Sequence, residues 1–280
     1  METIRRIATI AELEAPVDAV FVVDSRFALR HGWSQPNAVF VDAGESLKTL
    51  TALGELAQRV LEIRSTKPMT LVAVGGGSVG DAVGFLASVL WRGVRLWHVP
   101  TTLLAAADSA HGGKTALNLG TAKNQLGTFW PAEVVVLIDE VFEALPVAIR
   151  ADAMAEIIKA LWLHAVPERD LLDTVGVGTL AFGPWEDAGA ALLTLLESAI
   201  EVKQGIVARD PRETLGIRTL LNLGHTIAHA LELEASFSHG RAVAWGLACA
   251  AEVSSRREHL DREHRDTLWR EASSVGRQRK

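Results

Sequence analysis

The sequence predicts a Rossmann-like α/β domain with a largely parallel sheet, followed by an all-α domain. Three observations carry that prediction. Up to about residue 145, short β-branched apolar runs alternate with segments of helical periodicity. From Ala151 onward the strand signals vanish, and long Ala/Leu/Glu-rich stretches replace them. The length of 280 residues also exceeds the ~100–200 usual for one domain. The change falls near Leu145-Pro146, so the domains are drawn at 1–147 and 148–280.

In chain order, AVFVVD (19–24), NAVFVDAG (37–44), TLVAVGGG (70–77), VRLWHVP (94–100) and VVVLID (134–139) read as buried strands. Continuous apolar runs of that length suit strands covered on both faces. Between them, 46–63 and 79–91 carry apolar residues at helical spacing. The second half predicts helices over 151–165, 186–207, 219–234 and 240–257. The charge-mixed tail from Ser254 predicts a solvated helix that frays.

Composition narrows the function classes. With 49% hydrophobic and 22% charged residues, the chain can bury a substantial core. Its net charge of −6 gives no general attraction to nucleic acid or an anionic membrane. A site for a small anionic ligand must therefore be built locally. The one cysteine, Cys249, lies in an Ala/Gly-rich apolar run, where a reduced, buried thiol is expected, as in a cytoplasmic enzyme. The N-terminus lacks the apolar core of a signal peptide, and no apolar run reaches the ~18 residues of a membrane span.

VAVGGGSVGD follows a predicted strand and opens a predicted helix. Gly75, Gly77 and Gly80 satisfy G-x-G-x-x-G, which lets a backbone approach a pyrophosphate at a helix N-terminus. The acid expected about 20 residues later on the next strand is missing: position 98 is histidine, and no acid lies between Asp81 and Asp108. Glu45 and Lys48, just after the strand at 37–44, can substitute from a neighbouring strand end.

The segment PTTLLAAADSAHGGKTALNLGTAKNQLGTFWP reads as a long functional loop. It carries Thr101, Thr102, Asp108, Lys114, Lys123 and Asn124, with glycine-exposed backbone between them. Lysine and amide groups converging with free N–H groups suit a phosphate in an otherwise acidic protein.

Further on, His225, His229 and His239 fall within fifteen residues of a chain with nine histidines. On a helix, His225 and His229 share a face. Glu156 and Lys159 share one too, three residues apart on a separate helix. One carboxylate with two or three imidazoles makes a Zn²⁺ set with room for a substrate oxygen. Spacing alone does not decide which three of these four residues bind.

The stretches GESLK, GGGSVGDAVGFLAS, RGVRLWHVPTTLLAAADSAHGGKTALN, KNQLGTFWP, MAEIIKA, VKQGIVARD, GIRTLLNLGHTIAHALE and SHGRAVAWG run from about residue 38 to 250. In that order they resemble the sugar-phosphate cyclase family, and within it the dehydroquinate synthases. The resemblance implies a dehydroquinate synthase-like fold, a cytoplasmic homodimer, and a site using NAD and a divalent metal, Zn²⁺ or Co²⁺, in the cleft between two domains. By motif, it implies Glu156, His225 and His239 as metal ligands. Glu45, Lys48, Gly76, Gly77, Asp81, Thr101, Thr102, Lys114 and Lys123 correspond to the cofactor side. Asp108, Lys114, Lys123, Asn124, Lys159, Lys203, Arg218, Asn222 and His229 correspond to the substrate side. Arg92 corresponds to an arginine that reaches a neighbouring subunit's phosphate. The family's reaction oxidises a seven-carbon keto acid phosphate at C5 with NAD⁺, eliminates phosphate, returns the hydride and closes the ring by an aldol step.

This chain departs from the pattern in places. His111 and Ala116 stand where the family commonly has a small apolar residue and a glycine, and Arg241 replaces a frequent glutamate beside His239. A late phosphate-binding lysine is expected from a further C-terminal segment, whereas the only lysine after Lys203 is Lys280. The rival readings are an aminodehydroquinate synthase or other cyclase, an NAD-dependent polyol or glycerol-phosphate dehydrogenase, and a truncated paralogue without turnover. Asn222 and His229 set the chain apart from the deoxy-inosose and valiolone cyclases.

Overall fold

The computed structural model describes residues 2–235 and 237–277, so Lys280 lies outside the described residues. Two compact units divide the chain, Met1–Ala144 and Leu145–Lys280.

In the first unit six parallel strands form one sheet: β1 (Thr3–Ile7), β2 (Ala19–Asp24), β3 (Ala38–Val41), β4 (Thr70–Gly75), β5 (Arg95–Pro100) and, after a separate hairpin, β8 (Val134–Ile138). The order across the sheet is β1-β8-β5-β4-β2-β3. Every residue of β4 and β8 is buried, because helices or chain cover both faces. That explains why these strands are unbroken apolar runs. The edge strand β1 is different: its TIRRI sequence hides the strand signal, since Arg6 pairs with Asp139 at 2.7 Å and Arg5 lies 5.0 Å from the Trp97 ring centroid.

The crossovers include α1 (Ser25–His31), α2 (Leu50–Ile63) and α3 (Gly77–Val89), and α4 (Asp139–Glu143) follows β8. Thr49 caps α2 by accepting from the Ala52 N–H at 3.2 Å, and Leu53, Leu56 and Val60 form its buried stripe. The segment expected to be a loop is instead a π-turn, Ala105–Ser109, and an antiparallel hairpin, β6 (Lys114–Leu119) and β7 (Ala122–Phe129). Its strands are short of apolar alternation because β7 is largely exposed. Gly84 of α3 lets the hairpin approach: a Cβ there would sit 2.6 Å from Thr115 Cγ2.

His98 on β5 is buried against Gly80. Burial, aided by His111 and opposed by Glu2, lowers its pKa from 6.5 to about 4. The unfolded chain thus takes up this proton first as pH falls. Stability from this group is full above pH 6.5 and is lost on acidification toward pH 4, by at most about 3 kcal/mol. Urea unfolding across that window checks this: His98→Asn should flatten the slope, and an unchanged slope would refute the assignment.

The second unit is helical: α5 (Val147–Leu163), α6 (Val177–Phe182), α7 (Trp185–Arg209), α8 (His225–Ala235), α9 (His239–Arg256) and α10 (Arg262–Gly276). From Ala153 to Leu161 every residue of α5 is buried, Glu156 and Lys159 included, so α5 is the central helix. The 219–234 segment splits into a 3-10 turn at Ile217–Asn222 and α8, with Gly224 at φ 82° between them. The tail corrects the expectation of a solvated, fraying helix. Asp261 caps α10 at 2.9 Å from the His264 N–H, and Leu268, Ala272 and Val275 are buried in its contact with α9. Cys249, expected buried, is half-buried. No helix among the described residues is long and apolar enough to cross a membrane.

Candidate functional site

On the first unit, the carboxyl ends of β3 and β4 lie on the same edge of a parallel sheet, since both pair with β2. The chain after each strand therefore meets its neighbour, and Gly44 N–H donates to Ser78 Oγ at 2.9 Å. Lys48, 4% exposed, donates from Nζ to Asp81 Oδ2 at 2.7 Å and to Asn124 Oδ1 at 2.5 Å. Burial pushes the Asp81 carboxyl above its ordinary value, with Lys48 pulling against it and Asp108 and Glu45 adding to the rise. Asn118 completes the cluster, donating to Glu45 Oε2 at 2.7 Å and accepting from the Asn124 N–H at 2.9 Å.

Gly76 is the N-cap of α3 and Gly77 its first residue. A Cβ on Gly76 would lie 3.6 Å from Thr102 Cγ2, and one on Gly77 3.2 Å from Ser109 Oγ, so bare backbone lines this turn. Thr101 is buried with its N–H on Gly75 O at 3.0 Å, and Thr102 Oγ1 accepts from the Ala105 N–H at 3.1 Å. The result is a helix N-terminus with an adjacent amide and carboxylate cluster, suited to a nucleotide's phosphates and ribose hydroxyls.

On the second unit the chemistry centres on Glu156. Its Oε1 lies 3.6 Å from His225 Nε2 and 3.4 Å from His239 Nε2, and one ligand atom from each residue falls within 4.8 Å of the others. Zinc bonds of about 2.0–2.1 Å give a tetrahedron with edges of about 3.3–3.4 Å. The three donors fit a divalent cation, and a carboxylate with two imidazoles leaves a coordination position for substrate.

Two partners hold these donors. Lys159 pairs with Glu156 Oε2 and donates to Leu221 O at 2.7 Å. His239 Nδ1 lies 2.8 Å from Glu232 Oε1, which fixes the ring with Nε2 toward Glu156. Burial depresses the His225 pKa, with Glu156 opposing. Burial likewise lowers that of His239, but hydrogen bonding to Glu156 and Glu232 outweighs it and raises the value to about 9.

The other residues singled out in the sequence are spread over both units. Asp108 lies in the π-turn, Lys114 begins β6, and Lys123 is exposed on β7. Arg92 is exposed at φ 66°, beside Trp91 at φ 49°. Lys203 is buried on α7, and Arg218 is buried with its N–H on Asp210 Oδ2 at 3.2 Å. Asn222 and His229 are exposed, the latter ring 5.6 Å from that of His225. Asn124 belongs to the first cluster, its Oδ1 accepting from Lys48 Nζ.

Sequence reasoning missed Asn118, Ser78 and Glu232. Glu232 was findable: it lies on α8, seven residues before His239. Glu232→Gln is expected to weaken zinc binding about 10–100-fold while the ligand set remains. Competition against a chelating dye measures it, and unchanged affinity would remove Glu232 from the site.

Comparison with known proteins follows the same division. The family described as 3-dehydroquinate synthase N-terminal matches residues 38–152, and 3-dehydroquinate synthase C-terminal matches 153–279. The 3-dehydroquinate synthase of Saccharophagus degradans is 36% identical over 258 residues, 88% of this chain and 67% of that protein. That of Teredinibacter turnerae is 37% identical over 233 residues, 82% of this chain and 63% of that protein. The chain thus spans about two thirds of the length of these relatives. A solved 2-deoxy-scyllo-inosose synthase, complexed with carbaglucose-6-phosphate, NAD⁺ and Co²⁺, superposes with a TM-score of 0.81 at 25% identity, covering 98% of this chain and 78% of that one. The 2-epi-5-epi-valiolone synthase of Streptomyces hygroscopicus, with NAD⁺ and Zn²⁺ bound, shares the fold at a TM-score of 0.83 and 22% identity, covering 98% and 80%.

Proposed function

Because the chain belongs to the 3-dehydroquinate synthase family, we propose that it converts 3-deoxy-D-arabino-heptulosonate 7-phosphate to 3-dehydroquinate and phosphate, in the shikimate pathway to aromatic amino acids. The observation that carries this reading is the Glu156–His225–His239 triad, with donor spacings that fit one divalent cation. NAD and a Zn²⁺ or Co²⁺ ion also suit it, as a similar cyclase binds NAD⁺ and Co²⁺. When bound, NAD supplies reversible hydride acceptance and the metal supplies Lewis acidity.

The protein's own groups do the rest. Residues 1–147 hold NAD, with Gly76 and Gly77 at the helix N-terminus taking the pyrophosphate. Glu45, Lys48, Asp81, Thr101, Thr102 and Lys123 line that side. Residues 148–280 hold metal and substrate. Lys159 keeps Glu156 in place and neutralises part of its charge. Lys114, Asn124, Lys203, Arg218, Asn222 and His229 bind the keto acid phosphate and offset charge as phosphate departs. Asp108 orients substrate hydroxyls. In a cytoplasmic homodimer, Arg92 serves the phosphate of the neighbouring subunit.

The test is incubation of the chain with zinc, NAD⁺ and the heptulosonate phosphate, following phosphate release and nicotinamide absorbance together. Phosphate release without net NADH is the expected result. Net NADH without phosphate would instead mark a dehydrogenase. The amino analogue of the substrate, run in parallel, separates the aminodehydroquinate reaction.

A further inference from the structure

The roles proposed above leave His111 unused. Its side chain is 0% exposed, with Nδ1 3.0 Å from Glu2 Oε1 and Nε2 2.8 Å from Ala106 O. Glu2, whose side chain is 6% exposed, directly precedes β1. Ala106 belongs to the π-turn Ala105–Ser109, which carries Asp108. Such turns are rare and occur frequently at functional sites.

The π-turn is anchored at its start by Thr102, through the Ala105 N–H at 3.1 Å and the Ala106 N–H on Thr102 O at 3.0 Å. At its far end the Ala110 N–H returns to Ala105 O at 2.9 Å and the His111 N–H to Asp108 O at 3.2 Å, after which Gly112 and Gly113 take φ of 84° and 65° and no regular helix continues. Those bonds lie within the turn; the His111 ring ties it to its surroundings, reaching back to Ala106 and outward to Glu2. We infer that Glu2 and His111 are positioning residues that strap the Asp108 turn to the first strand of the sheet. The role of Asp108 toward substrate rests on the function proposed above; the strap itself does not.

His111→Val and Glu2→Gln/His111→Val test this. The single variant leaves a carboxylate buried without its imidazole, so its thermal midpoint should fall; the double variant neutralises that carboxylate and should recover much of the midpoint. Neither restores the bond to Ala106. Amide exchange over residues 105–113 should therefore rise at least ~10-fold in both, even where the midpoint recovers. The kcat for phosphate release should drop by about 10²-fold in both, with KM near the parent's. Exchange and kcat that recover along with the midpoint would show a packing role only and overturn the inference, as would parent-like exchange in both variants. A parent chain that releases no phosphate would sink the proposed function, while the exchange measurement would still decide the strap.

Discussion

His225→Ala is expected to lose bound zinc and phosphate release together. Altering a group that only orients a metal ligand costs about 10–100-fold in metal affinity or activity, so removing a ligand should cost more than about 100-fold in both. Folding should change little, because the His225 side chain is partly exposed and its bond to Leu223 O is long, at 3.3 Å. Zinc content by elemental analysis, phosphate release and the urea midpoint of the metal-free chain separate these effects. Full zinc occupancy in the variant would overturn the ligand assignment. Zinc lost together with a collapsed midpoint would instead make His225 a folding residue.

The triad was legible because its signal is chemical: few residue types bind zinc, and the helical pairing of His225 with His229 and of Glu156 with Lys159 shows in the spacing. Spacing left open which three of four donors converge. The fold settles that by starting α8 at His225 and α9 at His239, so that both imidazoles sit at helix N-termini within 3.6 Å of Glu156. His229, one turn along α8, is exposed.

The central strands were equally plain, since β4 and β8 are buried on both faces and consist of little but apolar residues. What stayed hidden had weaker local signals. β1 buries few of its own residues and depends on pairing with β8, 131 residues away at Thr3 and Val134. The β6–β7 hairpin carries Lys, Asn and Gln on an exposed strand, with a register shift between Leu117 and Leu119. The charged surface of α10 masks a stripe, Leu268, Ala272 and Val275, that only its neighbours make into core. Asn118 stands 73 residues from its partner Glu45, so no linear spacing announces it.

Gly240→Ala should be the most damaging single-methyl change at the metal side. The second residue of α9 passes so close to α5 that a Cβ there would lie 1.8 Å from Asp152 O, a backbone atom that cannot rotate away. Asp152 also holds this helix start, accepting from Ser238 Oγ at 2.5 Å and from the Gly240 N–H at 3.1 Å. The methyl must push α9 off α5, and those two helices carry His239 and Glu156. Overpacking of this kind costs about 3 kcal/mol or more where backbone must move. A shift of about 1 Å also spoils a spacing that metal bonds fix to within about 0.2 Å. The variant should thus lose zinc and unfold at lower urea. Gly205→Ala on α7 is the matched control: its Cβ would meet nothing within 4 Å, and a helix-interior Ala should stabilise by up to about 1 kcal/mol. Parent-like zinc content and midpoint in Gly240→Ala would mean that α5 and α9 are not packed backbone to backbone here, and the geometry offered for the triad would fall with that packing.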